Sequence, residues 1–333
     1  MQTALSVSQV AVELLQLTWK GASVLDRDQL EAFVAVVEQQ SFERAAATLS
    51  ITRGAISQRI KLLEEAVSAV LLIRDRPIRP TIAGETLLRH AKAVALLELE
   101  VRRQLAPAES GDERARLAVA VSADSLETWF GVCSARLLEA LPVALEIIVE
   151  DQDHTWPMLL RGEVIGCIST EPKPAQGFEA VRLGEMIYRC VATPAFAQKY
   201  FPHRLRLHEA VSAPAIVFNR KDALHDKFLK TQFGVEVERY VKHYFPSSSA
   251  LLRAIEMGCG YGVVPSDHIQ ALLASGRLVD LAPFSPLRVP LYWHHWRREP
   301  PLARRVTEFV TFSARQALAF EEADGFESLE SSA

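Results

Sequence analysis

The sequence holds no closely spaced cysteines. Cys133, Cys167, Cys190 and Cys259 stand far apart, without a CxxC pair. This argues against a disulfide framework or a zinc site and fits buried free thiols in a reducing compartment. No run of residues is long and apolar enough to span a bilayer. The first 24 residues lack a basic start followed by a continuous apolar core, so a signal peptide is not expected. An excess of positive charge is missing as well. At a net charge of −4 the chain is no general nucleic-acid coat, and any DNA contact must come from a local patch.

Catalytic signatures are also lacking. GCGYG (258–262) lacks the GxGxxG spacing and any P-loop lysine, and reads as a helix end before a strand. His294 and His295 are adjacent in a predicted strand, so they point to opposite faces and cannot easily share a metal. HExxH, GxSxG and paired-carboxylate motifs do not occur. The expectation is a protein that is not an enzyme and carries no metal or cofactor.

What is present begins near the N-terminus. A chain of 333 residues, nearly half of them apolar, should form two or three domains. Residues 1–25 read as an extension. From Asp26 to Gln39 an amphipathic helix turns Leu30, Phe33, Val34 and Val37 inward. Phe42, Ala45, Ala46 and Leu49 then recur at helical spacing. Ser50-Ile51-Thr52 breaks the pattern, and Thr52 can cap a further helix. In that helix Ile56, Ile60, Leu63 and Val67 share one face. Arg53, Gly54, Ser57, Gln58 and Lys61 share another, which has cations, amides and hydroxyls but no carboxylate. This composition suits a helix that enters a DNA major groove. Arg59 could serve either face. A short apolar run and RDRPIRPT follow, with Arg74, Arg76 and Arg79 forming a small basic wing for phosphates or the minor groove.

Thr81 can cap a long helix. Its Leu87, Ala91, Val94, Leu97, Val101 and Leu105 form one narrow seam, suited to pairing with a second copy. Two-fold pairing implies an inverted-repeat operator. Residues 106–114 are polar and contain Pro107 and Gly111, as a hinge would. Beyond them strands alternate with helices. Strands are expected at 116–122, 144–150, 166–170, 186–193, 214–218, 237–245, 260–265, 278–283 and 290–296. Helices are expected at 125–141, 155–161, 224–233, 249–257 and 301–320. Such alternation predicts mostly parallel α/β sheets, in two subdomains with a cleft. The tail 321–333 is acidic.

SFERAAATLSITRGAISQRIKLLEE resembles the winged helix-turn-helix of LysR-type transcriptional regulators. The likeness runs from about residue 26 to 319. It implies an N-terminal all-α winged helix-turn-helix (26–81), a linker and dimerisation helix (82–105) and a hinge (106–114). An effector domain of two α/β subdomains resembling periplasmic binding proteins (115–320) follows. SADSLETW (122–129), RGEVIGCIS (161–169), AQKYFP (197–202) and LYWHHW (291–296) resemble the branch that responds to basic amino acids and includes regulators of basic amino-acid export. Two departures stand out. Ser68 lies where the family usually turns on a glycine, and Gly54 replaces a serine or proline common early in the recognition helix.

The resemblance implies a cytoplasmic, nucleoid-associated regulator of amino-acid export or metabolism genes. Its partners would be operator DNA, a second copy in a dimer or dimer of dimers, and RNA polymerase, with no membrane. Lysine or arginine is the expected effector. A helix start with Ser122, Asp124 and Ser125 suits a ligand carboxylate and cation, and Asn219, Asp222, Ser247 and Ser248 are further candidates. The alternatives are a regulator with another small effector, a protein acting at a replication origin, and a solute-binding or catalytic α/β protein.

Overall fold

The computed structural model describes residues 25–105, 114–151, 155–237 and 239–319. Nearly all of the expected extension and of the hinge, and the acidic tail, lie outside these. The chain separates into two compact units, with the boundary between Glu98 and Leu99.

In the first unit, helix α1 (Arg27–Gln39) is capped by Asp26 and buries Leu30, Ala32, Phe33, Ala35 and Val36. Val34 and Val37, expected inside, are only half-buried; the buried stripe is centred on Phe33 and Val36. Helix α2 (Phe42–Thr48) is capped by Ser41, and α3 (Arg53–Ala66) by Thr52, whose hydroxyl accepts the Ala55 amide at 3.1 Å. Small Ala45 and Ala46 let the helices approach closely around Phe33, Ile56, Ile60 and Leu63. Strands β1 (Leu72–Ile73) and β2 (Arg79–Pro80) pair antiparallel as the wing. Helix α4 (Ile82–Leu105) follows. A β-carbon on Gly84 would lie 2.2 Å from the Leu71 carbonyl, so only glycine lets this helix start so close to the wing.

The end of α3 is instructive. Ser68 donates its amide to the Glu65 carbonyl and Ala69 to that of Glu64, at 3.2 and 3.1 Å. This is a Schellman closure with Ser68 at the left-handed position, φ +51°. The chain therefore makes the turn a glycine would make, with a serine. Gln40 and Ser50 also have positive φ. The corresponding helix ends of the second unit use glycine, at Gly234, Gly258 and Gly276.

The seam of α4 divides. Leu87 and Ala91 are buried in the core of the first unit. Leu97, Val101 and Leu105 are 45%, 52% and 80% exposed.

The second unit is built on a nine-stranded sheet of order β4-β3-β5-β11-β6-β9-β7-β8, with β10 also on β6. Its elements are β3 (Ala115–Val121), the helical segment α5 (123–140), β4 (Val143–Val149), α6 (Trp156–Leu160) and β5 (Gly166–Ser169). The long β6 (Phe178–Ala192) comes next, then α7 (Pro194–Tyr200), α8 (Leu207–Ser212), β7 (Ala215–Val217) and α9 (Leu224–Phe233). They are followed by β8 (Lys242–Tyr244), α10 (Ser248–Glu256), β9 (Tyr261–Pro265) and α11 (Ser266–Ala274). The described residues end in β10 (Val279–Asp280), β11 (Leu287–Trp296) and α12 (Pro301–Ala317).

The expectation of a mostly parallel sheet is corrected. β3 pairs parallel with β4 and β5, and β7 with β8 and β9. Between these two parallel groups run β6 and β11, antiparallel to each other and to their neighbours. The chain crosses between two lobes on long strands, and each crossing reverses direction. The first lobe holds β3, β4, β5, α5, α6 and α12, and the second holds α7 to α11 with β7 to β10. Where the lobes meet, the β6–β11 register slips: Leu291 faces Gly184, but Tyr292 faces Arg182. Leu183 has no opposite residue, and Gly184 takes φ +127°. This is a β-bulge.

Smaller differences have local causes. The strand expected at 186–193 begins at Phe178, because its first half alternates against β11. Among the described residues of 237–245, the strand paired with β7 is Lys242–Tyr244. Segment α5 opens at Ala123 and widens to a π turn at Leu126–Phe130 before returning to α geometry at Gly131–Ala140. Helices α8 and α11 are too short or too evenly apolar for periodicity to mark them. Among the described residues, no helix is long and apolar enough to cross a membrane.

Candidate DNA-reading face and effector cleft

Helix α3 projects one polar face. Arg53, Gly54, Ser57, Gln58 and Lys61 are all exposed, while Ile56, Ile60 and Leu63 hold the opposite face in the core. A β-carbon on Gly54 would meet only the Thr52 hydroxyl, at 3.8 Å, so glycine is not forced there by crowding. The Arg53 guanidinium rests 3.1 Å from Glu43, with both side chains mostly exposed. Such a pair is weak and gives way readily to another partner. Lys61 reaches Glu65 at 3.7 Å. Arg59 is different. It is half-buried and donates to Asp28 on α1 at 2.6 Å, so it ties two helices together. In the wing, Arg74 pairs with Glu64 at 3.3 Å and lies over the Phe42 ring, while Arg76 and Arg79 are exposed. The recognition face and the wing thus present cations, and the carboxylates near them are their own counterions.

The second site lies in the cleft of the second unit. Strand β3 ends at Val121 and the next residue caps α5: the buried Ser122 hydroxyl accepts the Ser125 amide at 3.1 Å and meets the Ser125 hydroxyl at 3.0 Å. Asp124, in the first turn, sends its side chain across the cleft. Ser248, at the start of α10, donates to one Asp124 oxygen at 2.7 Å; Tyr188, on β6 beyond the bulge, donates to the other at 3.1 Å. Burial pushes the Asp124 carboxyl above the usual aspartate range, and these two hydroxyls oppose that rise. Burial likewise pushes the Tyr188 phenol up, with the Asp124 charge adding to it.

Asp222 follows β7 and faces the same space. It accepts amides from Phe218 at 3.3 Å and Leu224 at 2.8 Å. Burial nevertheless pushes it up to about 6, with Asp151 and Asp124 contributing. Asp151 comes from the end of β4, and His268 on α11 lies close enough to favour the Asp124 anion. Asp124 in the first turn of α5 and Asp222 in the loop after β7 are thus each raised further by the Asp151 charge. Beside them the lobes also meet through Glu150 and Lys221, 3.6 Å apart.

Of the residues the sequence suggested, the structure brings together Ser122, Asp124, Ser125, Asp222 and Ser248. Asn219 shapes the loop, its side-chain oxygen accepting the Lys221 and Asp222 amides. Ser247 is the cap of α10, accepting the Ala250 amide at 3.3 Å. Sequence reasoning missed Tyr188, Asp151 and His268. Tyr188 sits in a strand pattern that marks it only as buried, and the two others carry no motif.

The winged helix-turn-helix and the two-lobed α/β unit define a class. Residues 27–85 match the bacterial regulatory helix-turn-helix protein, lysR family, and residues 110–315 match the LysR substrate binding domain. The chain belongs to the LysR family of transcriptional regulators, which are DNA-binding proteins rather than enzymes. Within that family it is similar to the HTH-type transcriptional regulator ArgP of Pseudomonas aeruginosa, 39% identical over 295 residues that cover 89% of this chain and 98% of the relative. ArgP of Aeromonas salmonicida is 40% identical over 294 residues, 88% of this chain and 98% of its own. Among solved structures, ArgP from Mycobacterium tuberculosis superposes with a TM-score of 0.77 at 36% identity, covering 88% of this chain and 98% of that one. The full-length LysR-type regulator LysG from Corynebacterium glutamicum with bound effector arginine gives 0.73 at 32% identity, covering 88% and 99%.

Proposed function

We propose that this LysR-type regulator responds to a basic amino acid, arginine or lysine, held in the cleft. The carrying observation is the convergence of Asp124, Asp151 and Asp222 beside the capped start of α5. Burial and like charge raise the cost of ionising Asp124 and Asp222, and a ligand cation relieves it. The hydroxyls of Ser122 and Ser125 and the amides of the α5 start suit a ligand carboxylate. LysG, similar over most of its length, carries arginine as its effector.

On the DNA side, Arg53, Ser57 and Gln58 read base edges while Lys61 and the wing arginines Arg74, Arg76 and Arg79 hold phosphates. Leu97, Val101 and Leu105 pair with a second copy, which fits an inverted-repeat operator, and two such dimers would make a dimer of dimers. The targets are genes of amino-acid export or metabolism, and the protein acts with RNA polymerase at the nucleoid in the cytoplasm.

The test is fluorescence anisotropy on DNA from upstream of the protein's own gene against scrambled DNA at matched salt, with and without arginine or lysine. Specific binding that shifts with one of the two amino acids is expected. Specific binding indifferent to both would refute the effector assignment.

A further inference from the structure

Asp124 is gripped from one side. It stands on the first lobe, and both of its hydrogen-bond donors belong to the other side of the bulge: Tyr188 on β6 and Ser248 at the start of α10. Each carboxylate oxygen takes one hydroxyl. Tyr188 and Ser248 are both almost wholly buried. Neither hydroxyl carries charge, so neither satisfies the carboxylate as a ligand cation would. Each oxygen keeps a second lone-pair direction for an incoming donor.

We infer that Tyr188 and Ser248 are positioning residues for effector recognition, their hydroxyls fixing the Asp124 carboxylate across the cleft so that it meets a cationic ligand already oriented. This rests on the effector reading above. A buried carboxylate with no donors would take up a proton and lose its attraction for an ammonium or guanidinium group. The charged neighbours act in both directions: Asp151 at the end of β4 and Asp222 after β7 are like charges, while His268 on α11 favours the anion. The two hydroxyls oppose burial and like charge together.

The inference separates a positioning role from a merely structural one through the pH profile. Removing a hydroxyl makes Asp124 easier to protonate, so effector affinity should be lost at low pH and recovered at high pH. Full-length protein would be titrated calorimetrically with L-arginine, and in a second series with L-lysine, across roughly pH 5 to 9. For Tyr188→Phe and for Ser248→Ala the midpoint of the affinity profile should move upward by about one pH unit, a roughly tenfold loss of affinity below the midpoint. In an Asp124→Asn background neither substitution should shift the profile further. An equal loss at every pH, or an unshifted profile in both variants, would overturn the inference while leaving the effector assignment intact. A wild-type protein that binds neither amino acid would overturn both, and the wild-type titration alone identifies that case. Ser248→Ala keeps the test decisive if Tyr188→Phe folds poorly.

Discussion

Ser68 closes α3 in a conformation that suits glycine, and replacing it should stabilise the first unit. With φ at +51°, the serine β-carbon is crowded against its own backbone. For an ordinary L residue this costs about 1–2 kcal/mol. Glycine removes that cost but brings back unfolded-state freedom, about 0.4–1 kcal/mol. The amide bonds to Glu64 and Glu65 are made by the backbone and survive the change. Ser68→Gly should therefore gain roughly 0.5–1 kcal/mol, the balance of these two effects. Described Trp residues all lie in the second unit, so tryptophan emission is a poor reporter here. Amide hydrogen exchange read by mass spectrometry resolves the helices separately. In α3 (Arg53–Ala66) protection should rise about two- to fivefold, as that free energy dictates. Helices α9 to α11, which already end on glycine, serve as internal controls. Unchanged or reduced protection of α3, with the controls steady, would refute the claim that the serine is strained.

Other outcomes follow from the same geometry. Gly84→Ala should destabilise the first unit by several kcal/mol, on the order of an overpacked core site, because its β-carbon would sit 2.2 Å from the Leu71 carbonyl; circular dichroism melting would show it. Gln58→Ala should relax discrimination between operator variants by about 1–3 kcal/mol, whereas Lys61→Ala should weaken all DNA alike and lower the salt slope by about one; competition binding at several salt concentrations separates them. Arg59→Ala should change sequence preference little and cost under about 1 kcal/mol of stability, since its partner is Asp28. Asp222 adds a pH dependence. Its folded carboxyl lies near 6, above the usual aspartate value, so the folded state binds more protons than the unfolded between about pH 4 and 6. Effector-free stability should then fall as pH rises through that window, by on the order of 3 kcal/mol from this group, and Asp222→Asn should flatten the slope in chemical denaturation.

Much of the DNA-reading unit was legible because its signals are local. Caps at Thr52 and Thr81, alanines at 45 and 46, and the step from Ile56 to Ile60 to Leu63 all lie within a few turns of one another. Even the substitution of Ser68 for a glycine pointed to the left-handed turn that the structure contains. The cleft was half legible. Asp124 and Ser122 announce a helix start after a strand, but what makes Asp124 special is Ser248, 124 residues away, and Tyr188, whose register no period reveals. The sheet misled for a related reason. Alternating strands and helices describe β3 to β5 and β7 to β9 well, while β6 and β11 owe their direction to pairing with each other.

The bulge on β6 has a mechanical consequence. Two lobes joined by free loops would swing like plates on a string, and a small ligand could move them far for little energy. Here they share a hydrogen-bonded ladder from Leu287 to Trp296, interrupted once, at Leu183 and Gly184. Close by, the buried carboxylate of Glu185 is clamped by Arg182 and Arg288 at 3.2 and 3.3 Å. Such a sheet behaves as a stiff torsion bar with one compliant link. A ligand held as proposed would load this bar through the Asp124 contacts, and the link at Leu183 and Gly184 is where it would yield, so the signal leaving the cleft would be a torque rather than a large displacement.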